Sequence, residues 1–184
     1  MKKITIAVAC LLMAGTALQA QKYFTRDGNV AFFSSTPIEN IEAHNSKATS
    51  VLDTESGRME FAILIKAFQF EKALMQEHFN ENYMESSTYP KATFKGAVKD
   101  WSKVNLSKEG EYPVIVAGDM TIHGVTQTVE APGVITVKGD AIYAASEFPI
   151  AVADYDIEIP AVVRDNIAKE VKVTVAIDYQ PLSR

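Results

Sequence analysis

Apolar and polar residues alternate with a period of two through most of this sequence, which selects half-buried β-strands over amphipathic helices. Val171-Lys172-Val173-Thr174-Val175-Ala176-Ile177-Asp178-Tyr179 alternates almost without a break. Met59, Phe61, Ile63 and Ile65 share one face of a second run, and Tyr112, Val114, Val116, Gly118, Met120 and Ile122 one face of a third. Ala92, Phe94, Gly96 and Val98 form a fourth row, and Val30, Phe32 and Ser34 a fifth. Strands with one apolar and one polar face belong to a sheet with one wet side, and hence to an antiparallel one.

Turn chemistry divides the runs. Thr54-Glu55-Ser56-Gly57-Arg58 separates a strand ending near Leu52 from the next, and Ser107-Lys108-Glu109-Gly110 and Lys138-Gly139-Asp140 punctuate two more. His123-Gly124 lies between Met120-Thr121-Ile122 and Val125-Thr126-Gln127, the two-residue spacing of a tight hairpin. About eight strands result. One segment breaks the pattern: Phe70 to Glu85 is rich in helix formers, with Phe70, Leu74, Met75, Phe79 and Tyr83 at helical spacing, and Pro90 follows. It reads as a short helix inserted among strands, placed to close one end of a barrel.

The N-terminus carries Lys2 and Lys3, an apolar run from Ile4 to Leu18, and then Gln19-Ala20. This is the organisation of a secretory signal peptide, and the run is shorter than the ~20 residues a membrane-spanning helix needs. Residues 1–20 are therefore read as the signal and 21–184 as one exported domain, periplasmic or secreted. Cleavage after Ala17 is the alternative, and Cys10 falls within the discarded run. A mature chain of this size buries roughly 68–70% of its unfolded surface. Having no other cysteine, it draws its stability from the core rather than from disulfides. Without the two signal lysines, 16 basic residues face 23 acidic ones, a balance that argues against a nucleic-acid partner. No later stretch is apolar enough to span a membrane.

Catalytic and metal signatures are sparse. His44, His78 and His123 are far apart in sequence, and no zinc-protease, paired-cysteine, nucleophile-elbow or phosphate-loop pattern occurs. His78 with Glu77 and Glu81 reads as a solvated helix face, because a structural zinc site needs about four ligands. Asp154, Asp156 and Glu158 read as the outer edge of a strand without calcium-loop spacing. His123 reads as a turn residue; a hydrolase or isomerase using it with Asp119 or Thr121 lacks an orienting constellation. Neither a metal nor a cofactor is expected.

The apolar faces say more. Phe32, Phe61, Ile63, Phe94, Met120, Ile122 and Phe148 sit on strand faces, while Leu74, Met75 and Phe79 crowd the helical insert. An eight-stranded closed sheet either fills its interior with side chains or holds one ligand there. Methionines and aromatics suit a pliable apolar pocket. Composition leaves both outcomes open.

The stretch from His78 to Gly96, HFNENYMESSTYPKATFKG, resembles the YceI-like family, whose members carry a Phe-rich helix, then Tyr-Pro, then an Ala-x-Phe strand. Gly118-Asp119-Met120-Thr121-Ile122-His123-Gly124-Val125-Thr126 is similar to the family's G-x-L-T-I-H-G-V-T hairpin, with methionine in place of leucine. The family's Trp-x-x-Asp start is replaced here by Tyr23-Phe24-Thr25-Arg26-Asp27. The resemblance implies an all-β, eight-stranded antiparallel, lipocalin-like barrel in the periplasm. It further implies a non-enzymatic carrier holding a long apolar molecule, such as a polyisoprenoid; the candidate lining is the ten residues above, taken from the strand and helix faces rather than from the resemblance. The rival expectation is a filled barrel serving as an envelope stress or interaction module. N-terminal sequencing of the mature protein is expected to begin at Gln21, or at Leu18 for the earlier site; envelope protein retaining Lys2 and Lys3 would overturn export.

Overall fold

The alternating runs pair edge to edge. The computed structural model describes residues 22–182; the stretch read as a signal peptide, with its cleavage sites, lies outside the described residues. Nine strands follow: β1 (Lys22–Ser35), β2 (Asn40–Asp53), β3 (Arg58–Leu64), β4 (Gln69–Phe70), β5 (Lys91–Val98), β6 (Gly110–Ile122), β7 (Val125–Lys138), β8 (Ala141–Ala151) and β9 (Glu170–Pro181). Every pairing is antiparallel. The order β1-β9-β8-β7-β6-β5-β3-β2 returns to β1, so eight strands close a barrel and the two-residue β4 lies alongside β2. The expected class and strand number are both present.

β3 and β4 are one strand interrupted by a bend. β3 pairs β2 through Thr49↔Ala62 and Ser50↔Phe61, and β4 resumes at Ala43↔Phe70 after a 3₁₀ turn at Ile65–Ala67. The buried Asn45 holds this bend: its Nδ2 donates to the Leu64 carbonyl at 2.9 Å, while its Oδ1 accepts from the Lys47 N–H at 2.8 Å. The Ile65 N–H donates to the Pro90 carbonyl at 3.0 Å, tying the bend to the end of the helical insert.

That insert starts later than its spacing suggests. Phe70 belongs to β4, so helix α1 covers only Ala73–His78 before the chain widens into a π-turn at Phe79–Tyr83. The Met84 N–H reaches the Phe79 carbonyl at 2.9 Å, the five-residue step of a π-turn. With Phe70 outside the helix, Met75, Phe79 and Tyr83 set the inward face, and Leu74 turns to solvent.

The two barrel ends differ. At the base, Tyr23, Leu52, Met59, Val98, Ile135, Ile142, Ile177 and Tyr179 form a packed plug. Trp101 lies in a 3₁₀ turn (Trp101–Lys103), packs over Gly57 and donates from Nε1 to the Thr54 carbonyl at 2.9 Å. The upper end carries the insert and the long 152–169 connection. Asp154 and Asp156 lie there in and beside a 3₁₀ turn (Val152–Tyr155) and Glu158 in the loop after it, not on the strand edge expected from their alternation. The Ala153 and Val152 carbonyls bond the Asp156 N–H, which ends the strand pattern. No group of metal-ligating residues forms among the described residues, and none of their helices is long and apolar enough to cross a membrane.

Two stability tests follow from this packing. Ser50 Oγ and Tyr179 Oη lie 2.6 Å apart, at 1% and 3% residue exposure, and burial pushes the Tyr179 phenol well above its ordinary pKa against the Ser50 hydrogen bond. Tyr179→Phe strands the serine hydroxyl and is expected to cost about 1–3 kcal/mol in urea unfolding, whereas adding Ser50→Ala recovers part of the loss. At the His123-Gly124 tip both residues have positive φ, +51° and +77°, the type I′ pattern. A Cβ on Gly124 would also lie 2.6 Å from the Tyr89 ring. Gly124→Ala is therefore expected to cost more than about 1 kcal/mol; a wild-type unfolding midpoint would contradict it.

Candidate functional site: an apolar cavity in the upper barrel

Between the base plug and the upper connections the inward side chains do not meet. They leave a cavity of about 250 Å³. The reason is visible along the strands. On β8 the inward row runs Ile142, Ala144, Ser146, Phe148, Ile150, and on β7 it includes Ala131 and Gly133, so small residues occupy the middle of both. Across the barrel, β5 contributes Ala92 and Phe94. Small residues opposite one another leave space that a neighbouring strand cannot fill.

Phe32, Phe61, Ile63, Phe79, Phe94, Met120, Ile122 and Phe148 of the expected lining stand in the cavity wall. Met75 lies outside it, on a shallower cleft near the mouth. Leu74 reaches neither space and is 60% exposed, because the insert turns the side carrying Met75 and Phe79 inward and Leu74 outward. Reasoning from large side chains alone passed over Ala144, Gly133 and Ser146, whose small size makes the cavity. The β8 alternation itself carried that signal, placing Ala144 and Ser146 in register with Phe148. Met59, Val114 and Val116 belong to rows recognised as inward but were not singled out.

The roof is an aromatic cluster. Phe32 stacks on Phe79 at 5.4 Å and meets Phe68 at 5.4 Å and Phe70 at 5.8 Å, while Phe79 also meets Phe70 at 5.0 Å. Phe68 follows the 3₁₀ bend and packs with Ala43 and Ala48, so short side chains on β2 make room for it. Lower down, Phe61 and Phe94 meet edge to face at 6.1 Å.

Polar side chains at the wall are few: Thr93, Tyr83 and Ser146. Ser146 donates to the Pro132 carbonyl at 2.6 Å. Burial raises the pKa of the Tyr83 phenol, favouring its neutral form. Among the described residues no charged side chain lines the cavity. Such a wall offers an apolar chain removal from water and offers an ion no counter-charge.

His123 stands apart from this space. Its Nδ1 lies 3.2 Å from the Tyr155 carbonyl, which makes that nitrogen the donor, and its ring packs edge to face on Tyr89 at 4.6 Å. Nε2 is buried and lies 3.9 Å from Glu85 Oε1, beyond hydrogen-bond reach. Asp119 accepts from Thr128 Oγ1 at 2.8 Å, and Thr121 pairs with Thr126 across the hairpin at 2.8 Å. Each of the three groups is committed to a contact between structural segments.

Three solved structures share the architecture. A polyisoprenoid binding domain from Saccharophagus degradans superposes with a TM-score of 0.76 at 17% identity, covering 88% of this chain and 98% of its own. Burkholderia cenocepacia BcnA gives 0.68 at 19% identity, with 83% and 96% covered. The Campylobacter jejuni YceI protein gives 0.62 at 15% identity, with 82% and 90% covered. No curated protein matches the sequence. The family model described as the YceI-like domain matches residues 22–179, from the start of β1 into β9. This chain belongs to the YceI-like family.

Proposed function

We propose that this protein is an exported, non-catalytic carrier that encloses a long apolar chain of the polyisoprenoid type in the upper half of its barrel. The observation that carries the reading is the cavity of about 250 Å³, walled by aliphatic and aromatic side chains and free of charged ones among the described residues. Its similarity to the Saccharophagus polyisoprenoid binding domain supports the same chemistry. Each CH₂ taken from water contributes about 0.8 kcal/mol, and ordering and desolvation costs reduce the net gain well below the gross sum. The carrier reading gains over the filled-barrel module because the space persists between two packed regions. The non-catalytic reading is supported by the structural engagement of His123, Asp119 and Thr121.

The test pairs stability with retention of an isoprenoid chain. Phe61→Ala or Phe94→Ala in a fully packed barrel costs about 3–5 kcal/mol; beside existing space the loss in the delipidated protein is expected to be smaller, while chain retention weakens. Ile63→Trp fills the cavity and is expected to abolish retention, whereas Ala62→Trp, on the opposite face of β3, spares it. Native mass spectrometry of protein from its own envelope is expected to show a co-purifying apolar mass. A wild type that carries no lipid, together with full-sized losses at Phe61 and Phe94, would sink the proposal.

A further inference from the structure

Outside the aromatic roof lies a second space of about 170 Å³, between the helical insert and the 161–167 segment. Its chemistry differs from that of the main cavity: Ser34, Glu39, His78 and Asn166 stand beside Ile41 and Met75. Phe32, Phe79 and Tyr83 line both spaces, so the two share an aromatic wall.

Glu39 is held in place from two sides of the mouth. Its Oε2 accepts from Asn166 Nδ2 at 3.2 Å, and its Oε1 lies 3.5 Å from Lys72 Nζ. The carboxylate side chain is 28% exposed and the lysine 63%, so the negative end leans into the cleft while the positive end stays in water. The backbone around Glu39 is fixed independently, with the Thr36 N–H donating to its carbonyl at 3.0 Å and its own N–H to Thr36 Oγ1 at 3.1 Å.

An amphipathic chain has one end that an uncharged apolar cavity rejects, because burying a polar group without a partner is costly. The nearest polar surroundings across the shared wall are those of this cleft. We infer that the outer cleft holds the polar end of the carried chain, and that Glu39 selects an uncharged or cationic, hydrogen-bond-donating head group over a phosphate or carboxylate. A hydroxyl, amide or amine donates to the Glu39 carboxylate. An anionic head meets that carboxylate as a like charge and must displace it from Lys72 to gain a counter-ion. The inference rests on the carrier reading above and adds the class of head group to it.

The experiment sets geranylgeraniol against geranylgeranyl phosphate, which share one apolar chain, in competition for the delipidated protein, with bound masses read by native mass spectrometry. The wild type is expected to favour the alcohol by about tenfold or more, equivalent to about 1.4 kcal/mol. Glu39→Gln keeps the shape and removes the charge, so the preference is expected to shrink several-fold, and Glu39→Lys is expected to reverse it. Circular dichroism and thermal unfolding confirm that each variant is folded. Equal binding of the two probes, a preference for the phosphate, or a ratio unmoved in both folded variants overturns the head-group assignment while leaving the carrier intact. Binding of neither probe removes the carrier reading and this inference with it.

Discussion

Strand β1 hydrogen-bonds along both edges, to β2 on one side and β9 on the other, and the barrel exists because of that double pairing. Without it, β2 and β9 would each present a long row of unpaired backbone groups, the exposed edge that sheet proteins avoid. A strand of 14 residues serves both neighbours only by bending, and its register shifts around Gly28 in both ladders or close to it. Space is tight at that point: a Cβ on Gly28 would lie 2.5 Å from Ile177 Cδ1 and 3.0 Å from the Ala48 carbonyl oxygen. The bulges let the strand curl inward there, over the packed base, and so close the sheet.

Closure fixes the width of the interior, and residue size then decides what fills it. The base receives Leu52, Met59, Ile135, Ile177 and two tyrosines, which meet across the barrel and leave no room. Higher up, β5, β7 and β8 turn to alanine, glycine and serine while the barrel keeps its width, and a gap is left. The phenylalanines beneath the insert then span that gap from above. Foundation and chamber thus arise from one strand set by changing side-chain volume along it, and the bend and the insert add the roof through Phe68 and Phe79.

Much of this was legible in the sequence. The inward rows of β3, β5, β6 and β9 were read from alternation alone, since a period of two maps directly onto the pleat. The His123-Gly124 hairpin was equally clear from its spacing. Leu74 was misplaced because Phe70 appeared to extend the helix, and only the pairing Ala43↔Phe70 reveals it as strand. Asp154 and Asp156 alternate in sequence but sit at a 3₁₀ turn, where backbone bonding to Val152 and Ala153 overrides the pattern. The role of Trp101 was invisible for a similar reason: its partners, Gly57 and Thr54, lie more than 40 positions away. Sequence alone also could not locate the cavity, because empty space depends on which small residues face each other across strands remote in the chain.

The bend after β3 separates two levels of cooperativity within one fold. The eight barrel strands share continuous ladders, whereas the segment from Ile65 to Pro90 enters a ladder through the two residues of β4 and otherwise meets the barrel by side chains: Phe68 and Phe79 on Phe32, Tyr89 on His123 and Lys72 beside Glu39. Breaking these ties leaves the eight-strand closure untouched, so the segment forms a unit able to open at a free energy below that of global unfolding. Amide protons in the insert then exchange through that local opening, and those at the base only when the barrel unfolds.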